Sequence, residues 1–224
     1  MAQPTRREKP AQQELRFPCS WGGRRERAGR PRRGWKIVPH RTRPPHRRAH
    51  PLHVTLRLQP DLPSIRQRRF RLLRSVFGAA TKRGFRVIHF SAQSNHFHLV
   101  IEADDREQLA RGMQGLMVRI ARRINRVLGR RGRVFTERYH ARALSSPRSV
   151  RNALVYVLQN YKKHRVQVQA PDPCSSGLWF GGWKDAVAQP PTPPPVPTAQ
   201  TWLAKAGWKR HGLIGLDEAP RAPA

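Results

Sequence analysis

Two histidines separated by one apolar residue are the strongest chemical signal in the sequence, at His96-Phe97-His98. Strand side chains alternate between the two faces of a sheet, so the histidines share one face and Phe97 shares the other with Leu99 and Ile101. Two neighbouring imidazoles on one face are suitable ligands for a single divalent metal ion. The alternative is a polar sheet face without a ligand, and the pair alone does not decide between the two.

A tyrosine and an asparagine share one face of the last predicted helix, which begins at Pro147 and ends near His164. At about 100° per residue, Tyr156 and Asn160 stand one turn apart. Their face also carries Asn152 and Lys163. The adjoining face carries the apolar stripe that should enter the core: Val150, Leu154, Val157, Leu158 and Tyr161. The pattern therefore predicts a packing role for Tyr161 and a place in a site for Tyr156.

Together these side chains have the chemistry needed to cleave a phosphodiester. A divalent metal ion held by His96, His98 and the Asn160 carbonyl would polarise a phosphate and stabilise the charge that develops during attack. Tyr156 would attack phosphorus through its phenol oxygen and form a covalent phosphotyrosine. The other interpretation of Tyr156 is an ordinary tyrosine at the boundary of a helix.

The composition indicates a polyanionic partner. The 224 residues have a formal net charge of +32, from 45 Lys and Arg against 13 Asp and Glu, and most of the basic residues are arginines, which suit phosphates and base edges. No apolar run is long enough to span a membrane, and the N-terminus shows no signal peptide. Cys19 and Cys174 are far apart and lack zinc spacing. We therefore expect a cytoplasmic, nucleoid-associated protein.

Charge and proline content divide the chain into four predicted segments. Residues 1–49 should be a basic disordered arm, in which Arg30, Arg32 and Arg33 surround a Gly-Arg-Pro sequence similar to a weak AT-hook. An unspecific basic tail would have the same composition. Residues 50–166 should form the catalytic domain, 167–200 an irregular and Pro-rich linker, and 201–224 a C-terminal tail.

Within the predicted domain the order is strand, helix, strand, strand, helix, strand, helix. This order predicts an α+β fold with a ferredoxin-like antiparallel sheet, helices on one face, and an added C-terminal helix that carries the tyrosine. The first and third strands are neighbours in such a sheet. We therefore expect His53, Thr55 and Arg57 of the first strand to border the histidine pair, on a sheet face that is otherwise open.

Local signals set the expected ends of the first two helices. Pro63 should begin the first helix, with Leu72 on its apolar stripe, and Gly84 should end it. Asp104 with Glu107 should form the capping box of the second helix. Between the two helices, Phe85 to Ala92 and the segment from His96 should form strands joined by a turn at residues 93–95.

The motifs in their order resemble a known family. Asn-His-Phe-His-Leu-Val-Ile at 95–101 is followed, about sixty residues later, by Tyr-Val-Leu-Gln-Asn at 156–160. This combination looks like the single-tyrosine HUH transposases, and especially the branch of REP-associated tyrosine transposases. His53-Val54-Thr55 and the stretch 135–140 also fit that branch. The resemblance covers about residues 50–166, and it departs from the branch at Tyr161, where a proline is usual.

The resemblance implies an endonuclease and strand transferase that uses Mg²⁺ or Mn²⁺ and cuts single-stranded DNA next to a hairpin. It implies Tyr156 as the nucleophile, His96 and His98 as metal ligands, and Asn160 as third ligand. Two other functions stay open. One is a non-catalytic protein that binds hairpin nucleic acid on the same fold, and the other is an HUH nuclease of plasmid replication or conjugation. A homodimer is also possible.

Exposed basic residues are the candidates for DNA contact. Besides the arginines of the arm and Lys163, they comprise Arg57 of the first strand and the arginines that lie off the apolar stripe of the second long helix, Arg119, Arg122 and Arg126. Phosphate contacts of this kind fix the position of DNA and are independent of its sequence.

Deletion of residues 1–45 tests the role assigned to the arm. We expect weaker DNA binding and a flatter salt dependence, because each lost phosphate contact lowers the slope of log affinity against log salt by about 0.7 for single strands. Binding titrations at several salt concentrations measure the slope, and reaction at saturating DNA should be unchanged. A truncated protein that unfolds would place these residues inside the folded domain.

Overall fold

The computed structural model describes residues 44–66, 68–164 and 170–220, all within one compact unit that spans 37–224. Four strands form one sheet: β1 (Leu52–Arg57), β2 (Phe85–Ala92), β3 (His96–Ala103) and β4 (His140–Ala143). The longer helices are α1 (Arg68–Ala79), α2 (Arg106–Val127) and α3 (Pro147–Gln159), and a short α4 (Trp202–Lys205) follows. Short 3₁₀ helices cover Asn160–His164, Ser176–Trp179 and Gly207–His211.

The strand order is β2-β3-β1-β4, and every pair is antiparallel. Together with the order of the helices along the chain, this confirms the predicted ferredoxin-like α+β fold and the added helix that carries Tyr156. The predicted second strand has the same bounds as β2. The division of the chain at residues 49, 166 and 200 stays a prediction.

One face of the sheet packs against α1 and α2. Phe97, Leu99 and Ile101 of β3 are fully buried in this main core, as their alternation with the histidines predicts. The fit is tight at Gly112 of α2, where an added Cβ would lie 2.1 Å from the Phe85 ring. Glycine at this position lets the helix approach the sheet closely.

The other face is not open, contrary to the expectation from sequence. α3 and the chain beyond residue 170 build a second core on it, around Ile88 of β2 and Val100 of β3. Seven of the 13 residues of α3 are buried, which is more than one stripe, because the helix lies between the sheet and the C-terminal segment.

The C-terminal segment is fastened to α3 by polar contacts as well as by packing. Arg151 donates to both carboxylate oxygens of Glu218, at 2.8 and 2.6 Å. Gln159 Nε2 donates to Gly215 O at 2.8 Å. A bidentate arginine–carboxylate pair fixes orientation as well as distance. Residues 201–220, which the sequence predicts only as part of a C-terminal tail, are therefore docked on the fold.

Three predicted helix signals are wrong in detail. α1 begins at Arg68 and not at Pro63, and Leu72 is 49% exposed. At 100° per residue Leu72 lies about a quarter turn from the buried Leu73 and so leaves the apolar stripe. Gly84 does not end α1 but lies, with φ of 77°, in the turn before β2.

The second helix is capped one residue later than predicted. Asp105, and not Asp104, is the N-cap of α2, and its side chain accepts from Gln108 N at 2.7 Å. Asp104 instead pairs with Arg48 at 2.9 Å. In the described part of the chain no helix combines the length and the apolar composition needed to cross a membrane.

His89 links β2 to the C-terminal segment and should make stability depend on pH. Its Nδ1 lies 3.2 Å from Ser176 Oγ, and burial lowers its pKa from 6.5 to about 4. Between these two values the unfolded chain binds more protons than the folded one, so the free energy of unfolding falls as pH falls from about 6.5 to about 4.

His89→Gln should remove about 2 to 3 kcal/mol of that pH-dependent loss. Urea unfolding at several pH values measures the slope for the variant and the unchanged protein. His211→Gln, at an exposed histidine, is the matched control and should leave the slope as it is. Equal slopes for all three proteins would show that folding leaves the pKa of His89 unchanged.

Candidate active site

His96 and His98 stand side by side on the face of β3 that is turned away from α1 and α2. Their ring centroids are 4.6 Å apart and the rings are nearly perpendicular, at 84°. β3 begins at His96 directly after a tight turn, in which Gln93 N donates to His96 O at 2.8 Å. His98 is buried and His96 is partly exposed, so the pair is reached from the side of His96.

Strand β1 supplies the neighbours of the pair, as the sequence predicted. Thr55 lies opposite His98 and Arg57 opposite His96 in the register of β1 and β3. Thr55 Oγ1 lies 3.2 Å from His98 Nδ1, and His53 Nε2 lies 3.3 Å from the same atom. The His53 ring also stacks on His98, with 5.3 Å between centroids. His98 is therefore held through its Nδ1 edge.

The charge state of His53 determines whether its Nε2 donates to or accepts from His98 Nδ1. Burial, and then the nearby His140 and Arg142, lower the pKa of His53 from 6.5 to about 4. His53 is thus neutral near neutral pH, and its Nε2 can accept a hydrogen bond from His98 Nδ1–H. Likewise His96 Nδ1 lies 2.8 Å from Asn95 Oδ1, an atom that only accepts.

Helix α3 places Tyr156 against the histidines. The centroid of its ring lies 4.9 Å from that of His98 and 5.4 Å from that of His53, edge-on to both. The helix starts with Ser146 as N-cap in a reciprocal bond with Ser149 and with Pro147 in its first turn, a strong local signal for this start. The structure therefore brings Tyr156 together with the two histidines nearest to it in the sheet.

Asn160 lies one turn beyond Tyr156, where α3 gives way to a 3₁₀ helix. It is the C-cap of α3 and is 4% exposed. In the described ranges, no three His, Cys, Asp or Glu side chains are grouped so that they could hold a metal ion. Asn160 belongs to none of these types, and its amide oxygen with two imidazoles is a donor set that divalent ions accept.

Tyr161 is placed in the core, on the other side of the helix. It is 7% exposed, and its hydroxyl donates to Ala170 O. Burial, and then the charge of Asp172, raise the pKa of Tyr161 to about 12, against a smaller opposite effect of Arg66. Its phenol is thus both enclosed and hard to ionise, in agreement with the helical projection.

The predicted DNA-binding residues fall into separate places. Arg57 is exposed beside the histidines, at the position opposite His96. Arg119, Arg122 and Arg126 are exposed on α2, on the far side of the sheet from the histidines. With Arg111, the first two line a shallow depression. Arg30, Arg32, Arg33 and the side chain of Lys163 lie outside the described residues.

Sequence reasoning missed two neighbours of the site. Asn95 was assigned only to the turn, although a side chain directly before the first histidine of the strand is within reach of it. His140 lies opposite Thr55 in the register of β1 and β4. The spacing His140-Ala141-Arg142 was the available signal, since it puts both basic side chains on one face of a short strand.

Residues 63–160 match the family model described as Transposase IS200 like. The fold matches a solved structure of a REP-associated tyrosine transposase bound to a REP hairpin. The two chains are 14% identical, the TM-score is 0.50, and the match covers 62% of this chain and 82% of the other. No curated protein matches the sequence.

Residues 63–160 are thus similar to the IS200-like transposases. The family match confirms the resemblance predicted from the motifs, and the solved structure, at 14% identity, confirms the predicted fold.

Proposed function

We propose that this chain is a metal-dependent endonuclease and strand transferase that cuts single-stranded DNA next to a hairpin, with Tyr156 as nucleophile. The observation that carries the proposal is the contact of the Tyr156 ring with His98, 4.9 Å between centroids. Two segments about sixty residues apart bring a phenol and a histidine pair together, and both segments resemble the transposase motifs.

The residues present fit a divalent ion, Mg²⁺ or Mn²⁺. His96, His98 and the Asn160 carbonyl would hold it, the histidines through Nε2, because each Nδ1 faces a hydrogen-bond partner. Ligating histidines typically donate their second ring nitrogen to such a partner, which fixes the ring. When bound, the ion would stabilise negative charge on the attacked phosphate.

The chemical step is a transfer of the phosphate from a 3′ oxygen to Tyr156. The phenol oxygen forms a bond to phosphorus and gives up its proton to solvent, while the bond from phosphorus to the 3′ oxygen breaks. The 3′ oxygen takes up a proton and leaves as a hydroxyl. The product is a 5′-phosphotyrosine, from which a second 3′ hydroxyl can take over the DNA by the reverse step.

A hairpin with a single-stranded flank is the proposed substrate. The solved structure with the matching fold is bound to a REP hairpin. The charge of +32 supports a nucleic-acid partner in general. A stem can be held through its phosphates, whereas in-line attack needs a backbone that is splayed around the scissile phosphate, which stacked duplex resists. The basic surface on α2 and Arg57 are the proposed phosphate contacts.

Tyr156→Phe should abolish the covalent adduct while DNA binding is kept. Removal of a nucleophile typically lowers the rate by a factor of about 10³ or more, whereas the hydroxyl adds little to affinity. The measurement uses labelled hairpin DNA with single-stranded flanks and Mn²⁺, with adducts resolved on denaturing gels.

Tyr161→Phe is the matched control, because it removes the other phenol of the same helical region. This variant should form the adduct at the rate of the unchanged protein. An adduct on the Tyr156→Phe protein together with an inactive Tyr161→Phe protein would reverse the assignment. Tight hairpin binding without any adduct in the unchanged protein would favour the non-catalytic alternative.

His96→Ala and His98→Ala should each lower the affinity for Mn²⁺ and remove cleavage. Loss of one protein ligand from a three-ligand site leaves too few donors to compete with water. Electron paramagnetic resonance of Mn²⁺ reports binding in the absence of any reaction. His211→Gln, at an exposed histidine of the C-terminal segment, is the control and should bind Mn²⁺ normally. Cleavage in EDTA equal to that in Mn²⁺ would exclude the metal.

A further inference from the structure

Trp202, the first residue of α4, has an indole ring that is largely exposed to solvent. Its side chain is 53% exposed, and it is the one exposed Phe, Tyr or Trp in the part of the chain that the structure describes. The other tryptophans of the C-terminal segment are buried or partly covered. Trp183 donates to Gly177 O, and Trp208 donates to Ala204 O. A single exposed apolar side chain is common on protein surfaces, so a role for Trp202 depends on how its ring is held and on the charges around it.

The Trp202 ring is nevertheless held in a fixed orientation. A Cβ added to Gly207 would lie 2.7 Å from the ring, so the indole rests directly on the backbone of that residue. The guanidinium of Arg210 stacks over the ring at 4.9 Å from its centroid. A 3₁₀ helix has three residues per turn, so Gly207 and Arg210 lie on one side of it and contact the ring together. The indole is therefore a preformed and rigid surface.

Trp202 also lines a depression of about 470 Å³, together with Arg48, Arg86 and Gln200. The acidic groups in its wall are already engaged. Glu102 accepts from the backbone N–H groups of Gln200 and Thr201 and lies 3.6 Å from Arg86. Asp104 pairs with Arg48 through Nε at 2.9 Å. A guanidinium has five N–H donors, so Arg48, whose side chain is 75% exposed, keeps donors for an anion.

We propose that Trp202 is a stacking platform for an unpaired nucleobase of single-stranded DNA, with Arg48 and Arg210 beside the adjoining phosphates. The proposal rests on the proposed function for the identity of the nucleic acid. An aromatic face next to arginines is the combination that binds single strands without sequence preference. The net charge of +32, with only 13 acidic residues against 45 basic ones, favours a polyanion over a protein of ordinary charge as the partner.

The position of Trp202 relative to the histidines sets which nucleotide it contacts. Glu102, in the wall of the depression, lies on the same face of β3 as His98, four residues further along. That separation is about 13 Å along the strand. A flank that passes the active site has to go around the second core at Val100, so at a spacing of about 3.4 Å per nucleotide it would reach Trp202 about four or more nucleotides away. The platform would hold the flank while the phosphate is attacked.

The test compares binding of DNA with and without bases. Oligothymidine and an oligonucleotide of equal length made of abasic sites share the backbone charge and differ in the bases alone. In EDTA, which prevents reaction, the full-length protein should prefer oligothymidine, and Trp202→Leu should reduce that preference about tenfold, equivalent to about 1.4 kcal/mol. Trp202→Phe keeps an aromatic face and should retain most of the preference. Leu72→Ala, at another exposed apolar residue, is the control for unspecific loss.

A second measurement needs no variant and so does not depend on folding of the leucine protein. Oligothymidine with a single 5-iododeoxyuridine should crosslink under near-ultraviolet light to the peptide that contains Trp202. An unchanged preference in Trp202→Leu, or crosslinks that avoid this peptide, would overturn the platform. A protein that shows the Trp202-dependent preference but forms no adduct in Mn²⁺ would instead refute the proposed chemistry and leave the platform standing.

Discussion

The alternation of side chains along β3 is the constraint on which the rest of the structure depends. Its odd-numbered residues, Phe97 to Ile101, are fully buried against α1 and α2. A shift of register by one residue would turn this apolar row to the other face and the histidines into the core. Burial of the odd row therefore fixes the direction of the even row. The histidines owe their orientation to apolar packing on the opposite side of the sheet.

The even row is divided between chemistry and packing. The row begins with His96 and His98. Val100 follows in the second core, and Glu102 then accepts hydrogen bonds from the backbone N–H groups of Gln200 and Thr201, just before α4. One strand thus anchors both the tyrosine helix, through Val100, and the C-terminal segment, through Glu102. The C-terminal segment in turn covers the outer side of α3, so the position of Tyr156 depends on residues far beyond the family match.

Much of the fold could be predicted because its signals are local. The alternation in β3, the start of α3 at Pro147 and the bounds of β2 depend on signals that act over a few residues. The packing of the C-terminal segment on the second face could not be predicted. Its apolar residues are scattered among Gly and Pro after residue 170 and show neither helical nor strand periodicity. Helical projection predicted a place in a site for Tyr156, and the family resemblance joined it to the histidine pair. The contact of Asn95 with His96 could not be predicted, because it depends on the rotamers of a turn. The roles of these residues remain proposals.

The burial of α3 on two sides has a consequence for the proposed substrate. A nucleophile on a helix that is packed against the sheet and fastened by the Arg151–Glu218 pair has little freedom to approach a phosphate. The DNA backbone must then change its conformation, because the attacked phosphate has to align with a phenol whose position is set by packing. A single strand can adopt that geometry at small cost, while a stacked duplex would first have to unpair. The rigidity of the protein thus favours, on physical grounds, a flexible flank beside a stem.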